Sequence, residues 1–185
     1  MMVEYSRRDA VYPCRRHTSI RASVTLCIVL AAALSATHGA SAASAEVEFV
    51  KPEKFTDAGT PRQFVDRDAN LGNLREHLVR QAAKMLPADQ KLSISVTDVD
   101  LAGSFEPWQL YSREIRIVKE IYPPRIDLDF RLVGANGALI KEGKRSLRDP
   151  GFMMGPSKGY GGDNLRYEKV MLDEWLEKEF PKPGR

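Results

Sequence analysis

Residues 91–103 read KLSISVTDVDLAG and carry the alternating pattern that decides the fold. The apolar residues up to Val96 occupy even positions, as expected for one buried face of a β-strand. From Val99 onward the apolar residues occupy odd positions, so a regular strand would turn them to the opposite face. We therefore predict a β-bulge near Thr97 and Asp98, because one extra residue returns both apolar sets to one core.

The same alternation continues from Arg125 to Val133, and Asn136-Gly137 then predicts a hairpin, since both residues tolerate the positive φ of a type I′ turn. A two-residue loop would pair opposite charges across the strands, Arg131 with Glu142 and Asp129 with Lys144. A three-residue loop with a bulge at Gly137 would instead place Leu132 opposite Ile140. The pattern leaves both arrangements open.

The remaining segments predict two strands and two helices. They are strands at Glu46–Val50 and Glu114–Val118, a helix at Ala69–Leu86 capped by Asp68 or Asn70, and a helix that is capped by Asp163 or Asn164 and ends near Phe180. Each helix has one apolar stripe, and the strands alternate apolar with charged residues. We predict an α+β fold in which two helices pack on one face of an antiparallel sheet of four to five strands.

Residues 1–45 have the order of a secretory signal peptide. Arginines come first, the apolar run 22–36 follows, and small residues occupy 39–45. The apolar run is shorter than the roughly 20 residues that a membrane-spanning helix needs. We expect cleavage after Ala42 or Ala45, a periplasmic location, one domain over residues 46–185, and no permanent membrane span after cleavage.

The leader also holds the whole net positive charge of +3 and both cysteines. Five of the 28 basic residues and two of the 25 acidic residues lie in residues 1–45, so the remainder is formally neutral. A neutral domain argues against nucleic acid as a partner. The domain has no thiol for a disulfide, a nucleophile or zinc. Its one histidine, His77, lies at the edge of a helix stripe and is predicted to be a boundary residue.

Several carboxylates are candidates for chemistry. Asp98 and Asp100, with Glu106 nearby, offer oxygen ligands for Ca²⁺ or Mg²⁺, but their spacing lacks the EF-hand pattern. Asp127 and Asp129 lie on one strand face, about 7 Å apart by strand geometry, and general acid–base catalysis can use such a pair. Flanking arginines and a cross-strand lysine favour a charge-paired sheet face instead. We assign no catalytic residue, no metal ligand and no cofactor.

The glycine-rich loop at 149–162 and the last helix supply the other candidates. The loop departs from the phosphate-binding pattern, but Phe152 and Tyr160 could close over a partner or an apolar ligand. Glu168 falls within the apolar arc of the last helix, where a carboxylate needs a cationic partner. The candidate partners are Arg125, Arg145 and Arg148, in which case Glu168 would clamp the helix to the sheet.

Five separated motifs occur in order along nearly all of the mature region: VTDVDLAG (96–103), FEPW (105–108), IYPPRIDLDF (121–130), SLRD (146–149) and LRYEK (165–169). Together they resemble a family of proteobacterial exported proteins, domain-of-unknown-function family 3016. The resemblance implies export and a single domain. It implies no established activity, cofactor or catalytic residue.

Our leading hypothesis is a non-enzymatic envelope protein that binds a partner protein or a small ligand through the open sheet face and the 149–162 loop. The candidate binding residues are Asp98, Asp100, Arg125, Arg145, Arg148, Phe152, Tyr160 and Glu168. The alternative is a hydrolase that uses carboxylates, with or without a divalent ion. Its candidate residues are Asp98, Asp100, Asp127 and Asp129.

Overall fold

The computed structural model describes residues 44–59, 64–106, 115–155 and 158–181. The elements of this part of the chain are β1 (Ser44–Phe49), α1 (Phe64–Met85), β2 (Lys91–Asp100), β3 (Arg125–Val133), β4 (Leu139–Arg148) and α2 (Arg166–Glu179), with one 3₁₀ turn at Pro52–Lys54. The described strands form one sheet in the order β1-β2-β3-β4. The predicted α+β fold is confirmed.

The sheet is mostly antiparallel, as predicted, and β1 is the exception. Strands β2, β3 and β4 pair antiparallel, whereas β1 pairs parallel to β2. Helix α1 lies between β1 and β2 in the chain and carries it back to the end where β1 begins. Such a crossover connection is what parallel neighbours require.

The predicted bulge in β2 is confirmed. Val96 lies opposite Leu128, and Asp98 lies opposite Asp127, so Thr97 is the extra residue between them. Val96 and Val99 are both buried, with exposures of 1% and 0%. The bulge therefore keeps the two apolar sets of β2 in one core, as the change of phase in the sequence predicted.

The β3–β4 hairpin combines features of both predicted arrangements. The Gly134 amide bonds to the Ala138 carbonyl at 3.0 Å, and Gly137 has a positive φ whereas Asn136 does not. The loop therefore has three residues, and the predicted type I′ turn is wrong. The register then shifts between Leu132 and Val133, which restores the predicted charge pairing of Arg131 with Glu142 and of Asp129 with Lys144.

Both helices contribute to the core on one sheet face. Leu74, Leu78 and Ala82 of α1 and Leu172 and Leu176 of α2 are buried in the same cluster as the inward residues of β2 and β3. We call the opposite, charged face of the sheet the open face. Salt bridges from Glu179 of α2 to Lys141 and Arg145 of the edge strand β4 add a link between helix and sheet.

The predicted starts of both helices are wrong. Helix α1 begins at Phe64, so Asp68 and Asn70 lie inside it and do not cap it. Leu165 is the N-cap of α2, and the Asp163 carboxylate accepts the Leu165 amide instead of capping the helix. In both cases the first helical residue cannot be read from the apolar stripe. Polar residues lie near the helix start, and the stripe begins after them.

The predicted strand at Glu114–Val118 is also wrong within the described residues. Residues 115–118 make only an isolated bridge, between Ile117 and Ser104, and Glu114 lies outside the described residues. A short apolar run does not by itself distinguish a strand from an extended loop. The first strand occupies Ser44–Phe49 instead of the predicted Glu46–Val50.

Two glycines give opposite predictions for substitution by alanine. Gly103 has a φ of +89°, and an added Cβ would lie 2.7 Å from the Ile117 carbonyl oxygen. We expect Gly103→Ala to lower the free energy of unfolding by at least about 1–2 kcal/mol. Gly72 lies inside α1 with nothing near its missing Cβ, so Gly72→Ala should raise that free energy by about 1 kcal/mol.

Urea unfolding followed by circular dichroism measures both changes, with the wild type as reference. A neutral Gly103→Ala substitution would contradict the close approach of residues 103 and 117.

Candidate functional site

Three residues form a row across the open face at one end of the sheet. Asp100 of β2 lies opposite Arg125 of β3, which lies opposite Arg148 of β4. The bulge at Thr97 sets this row, because it places Asp98 and Asp100 on the open face instead of in the core. The row therefore consists of one carboxylate on β2 followed by two guanidinium groups on β3 and β4.

This row lines a cleft of about 670 Å³. The other walls are the segment 52–59, residues 101–105 and residues 121–123. Phe55, Phe105 and Tyr122 contribute aromatic surface to it, so charged and apolar groups face the same space. The volume falls within the range of about 300–1,000 Å³ that is typical of small-molecule sites.

One charge pair fixes the wall of the cleft that is formed by segment 52–59. The Arg116 guanidinium donates two hydrogen bonds of 2.8 Å to the two carboxylate oxygens of Asp57. It also lies over the Phe105 ring, 4.6 Å from the ring centre. Asp57 is joined to β2 by an isolated parallel bridge with Asp100. A bidentate pair of this kind fixes geometry more firmly than a single ion pair does.

A second charge pair joins Asp98 to Arg125. The Asp98 carboxylate accepts the Thr56 amide and hydroxyl, both at 2.7 Å, and an Arg125 N–H at 2.6 Å. Burial alone would raise the pKa of Asp98, but the hydrogen bonds from Thr56 and Arg125 outweigh it, and the pKa lies below its ordinary value. Asp98 is thus held ionised as a structural link between segment 52–59 and the sheet.

Asp100 and Arg148 differ from these paired residues. Among the described residues, neither side chain makes an ion pair or a side-chain hydrogen bond. Burial raises the pKa of the half-buried Asp100, and the nearby charge of Asp57 adds to that increase. Arg148 is exposed at the rim of the cleft. The cleft therefore presents the half-buried Asp100 carboxylate and the Arg148 guanidinium to a ligand, together with the exposed Glu53 carboxylate on the wall formed by segment 52–59.

The structure brings together four of the eight predicted binding residues and separates the other four. Asp98, Asp100, Arg125 and Arg148 lie in or beside the cleft. Arg145 points to the core side and donates two hydrogen bonds to Glu179, at 2.7 and 2.8 Å.

Phe152 of the glycine-rich loop is buried, with 4% exposure, and packs edge-on against Tyr167. It is part of the packing between the loop and α2 and does not face an open site.

Tyr160 belongs to a buried polar network that the sequence did not reveal. Its hydroxyl donates to Asp173 at 2.7 Å and accepts from Gln81 at 2.9 Å, and His77 Nε2 lies 2.7 Å from the other oxygen of Asp173. Burial and the contact with Asp173 raise the pKa of Tyr160 to about 12. The network fastens the glycine-rich loop to both helices.

The prediction that His77 is a boundary residue is wrong. Its exposed fraction is 0%, because α2 packs against the side of α1 that carries His77. In the sequence this side is only the edge of the apolar stripe of α1. Its ring also lies edge-on to that of Tyr160.

Glu168 is buried as predicted, with 1% exposure, but the expected arginine partner is wrong. One carboxylate oxygen accepts the backbone amide of Ala102 at 2.7 Å, and the other makes no hydrogen bond. Burial raises the pKa of Glu168. The residue does tie α2 to the sheet, through a backbone amide just beyond β2 and not through a guanidinium group.

Of the remaining candidate carboxylates, Asp127 lies opposite Asp98 and has one buried oxygen without a hydrogen bond, whereas the other two have cationic partners. Asp129 bonds to Lys144 at 3.1 Å, across the predicted strand pair. Glu106 is buried and bonds to Lys119. In the parts of the chain that the structure describes, no group of three or more His, Cys, Asp or Glu side chains is arranged to hold a metal ion.

The sequence analysis missed the cleft residues Asp57, Phe105 and Tyr122, and also Arg116, which bonds to Asp57. All four lie in irregular segments, where alternation gives no information about facing. The FEPW motif at 105–108 gives no prediction of a strand, a helix or a cleft wall. Of its residues, only Phe105 and Glu106 lie within the described part.

The fold and cleft define a small α+β domain with a charged, partly aromatic cleft at one end of an open sheet face. The chain belongs to the family described as protein of unknown function (DUF3016), which matches residues 43–178. No curated protein and no solved structure matches the chain. None of the described helices combines the length and the hydrophobicity that are needed to cross a membrane.

Two substitutions at Glu168 separate its charge from its hydrogen bond. Glu168→Gln keeps an acceptor for the Ala102 amide and removes a buried charge, so we expect unchanged or higher stability at neutral pH. Glu168→Ala leaves that amide unpaired and should lower the free energy of unfolding by about 1–3 kcal/mol. Urea unfolding measures both values.

The pH dependence gives a second readout. Because burial raises the pKa of folded Glu168, the native state holds this proton more tightly than the unfolded chain does. Its contribution to stability is full below the ordinary pKa of 4.5 and declines as pH rises toward the folded pKa. Glu168→Gln should lack that decline. Equal destabilisation by Gln and Ala at neutral pH would show instead that the negative charge itself is required.

Proposed function

We propose that the chain is an exported, non-enzymatic binding protein whose cleft takes a small ligand. The observation that carries this proposal is the pair of unsatisfied opposite charges, Asp100 and Arg148, in a cleft of about 670 Å³. Small-molecule sites combine apolar walls with a few polar groups that fix orientation. The cleft has that composition.

A small ligand fits the geometry better than a partner that is covered by the glycine-rich loop. Phe152 and Tyr160, the loop residues that were expected to close over a partner, are engaged by Tyr167 and by Asp173. The unsatisfied charges lie at the cleft instead. The open face remains available beside it, with Ser93, Arg131 and Glu142 exposed.

The carboxylates of the alternative hydrolase are mostly used in structural pairs. Asp98 accepts a hydrogen bond from Thr56 and forms a salt bridge with Arg125, and Asp129 forms a salt bridge with Lys144. Pairs of this kind orient the carboxylates within the sheet face. The geometry therefore favours charge pairing over acid–base work at these positions.

The proposal includes export through cleavage after Ala42. Strand β1 begins at Ser44, and Ser44 and Ala45 pair with Lys91 and Leu92 of β2. Cleavage after Ala42 would leave β1 whole, whereas cleavage after Ala45 would remove its first two residues. The family match also begins at residue 43. The order of arginines, apolar run and small residues in 1–42 supports the same site.

N-terminal sequencing of the protein from a periplasmic fraction tests this site. We expect the mature chain to begin at residue 43. A product that begins at Met1, or one that is found only in the cytosol, would contradict export.

A thermal-shift screen tests ligand binding. The probes are amino acids, dipeptides, sugars and carboxylic acids, because a compound that binds only the folded state raises the melting temperature. We expect at least one probe to stabilise the wild type and to stabilise Arg148→Gln less. Lys144→Gln is the matched control, since it removes an exposed cation from the same strand outside the cleft.

Two outcomes would count against the proposal. Equal stabilisation of all three proteins would place binding outside the cleft. Stabilisation by Mg²⁺ or Ca²⁺ that EDTA reverses would favour the metal-dependent hydrolase.

A further inference from the structure

The charges that line the cleft sort into those with protein partners and those without. Arg116 is bonded to Asp57, and Arg125 is bonded to Asp98. Within the described residues, Asp100, Arg148 and the exposed Glu53 have no such partners, and of the two carboxylates Asp100 is the half-buried one. An unpaired carboxylate and an unpaired guanidinium in one cleft together match a ligand that carries both a positive and a negative group.

The sheet keeps these two charges apart. Asp100 and Arg148 lie on β2 and β4, with Arg125 on β3 between them in the same row. Two strand spacings place their backbones about 10 Å apart. Arg125 is already committed to Asp98, so it separates the two charges without satisfying Asp100 by a hydrogen bond.

The distance between the two charges indicates the size of the ligand. An extended peptide spans about 3.4 Å per residue, so about 10 Å corresponds to two or three residues. The smaller number applies where the side chains of Asp100 and Arg148 reach toward each other and shorten the distance between their charges. The aromatic surface of Phe55, Phe105 and Tyr122 lines the same cleft. It offers contact for an apolar side chain that lies between two charged ends.

We propose that the cleft binds a short zwitterionic peptide, with its ammonium group at Asp100, its carboxylate at Arg148 and an apolar side chain against the aromatic wall. This inference rests on the proposed function and names the chemical class of its ligand. Arg148 can donate two parallel hydrogen bonds to a carboxylate, which lysine cannot match. Asp100 gains a cation that compensates its partial burial.

Three matched probes test both charges on the unmodified protein. They are the dipeptide Phe-Ala, its N-acetyl form without the ammonium group, and its C-terminal amide without the carboxylate. Titration of the ¹⁵N-labelled mature chain, followed by amide chemical shifts, gives a Kd for each probe and locates the binding site. We expect the free dipeptide to bind in the cleft, and each capped form to bind about tenfold more weakly or worse.

Substitutions assign each end of the ligand. Asp100→Asn should abolish the preference for the free over the N-acetyl form, and Arg148→Gln should abolish the preference for the free over the amide form. Asp129→Asn and Lys144→Gln are charge-matched controls on the same face outside the cleft. Both controls should keep the wild-type order of affinities.

The outcomes separate this inference from the proposed function. If the capped forms bind in the cleft as tightly as the free dipeptide, the zwitterion inference is overturned while the ligand site stands. If the dipeptide shifts only residues outside the cleft, or shifts none, the inference is also overturned. The wider thermal-shift screen then decides alone whether the cleft binds any small molecule.

Discussion

An extra residue at Thr97 in β2 determines which side chains face the cleft. Before it, even-numbered residues fill the core, and after it Val99 and Leu101 do so. The same shift turns Asp98 and Asp100 onto the open face, opposite Asp127 and Arg125. A strand without the bulge would bury charges or expose the core, and either costs far more free energy than one unpaired backbone position.

The charge pairs around the cleft act mainly by positioning. Partly exposed ion pairs of this type contribute little net stability, about 0–1 kcal/mol each. Their effect is geometric, because Asp57 with Arg116 and Asp98 with Thr56 fasten segment 52–59 to the end of the sheet. With those groups engaged, Asp100 and Arg148 remain for a ligand. A cleft is a suitable place to leave such charges, because binding can supply the partner that folding does not.

The sequence was informative wherever a period of two applied. It predicted the bulge near Thr97 and the pairing of Asp129 with Lys144, because a charged or apolar residue on the wrong face is costly. It did not predict the cleft walls, since Asp57 lies in a segment with no period and Arg116 lies in a predicted strand that makes only an isolated bridge. It also missed the depth of His77, which depends on how α1 packs on α2. It predicted that Glu168 is buried. It did not predict that a backbone amide donates a hydrogen bond to Glu168, because every residue except proline has a backbone amide and the sequence pattern does not distinguish one from another.

Cross-strand proton contacts between β2 and β3, measured by nuclear Overhauser spectroscopy on the mature chain, test the central claim most directly. The account predicts contacts of Val96 with Leu128, then of Asp98 with Asp127 and of Asp100 with Arg125, with Thr97 opposite no residue of its own. Contacts of Asp98 with Ile126 and of Val99 with Arg125, in place of these, would mean an unbroken register. That result would move Asp100 out of the row and remove the basis for the cleft.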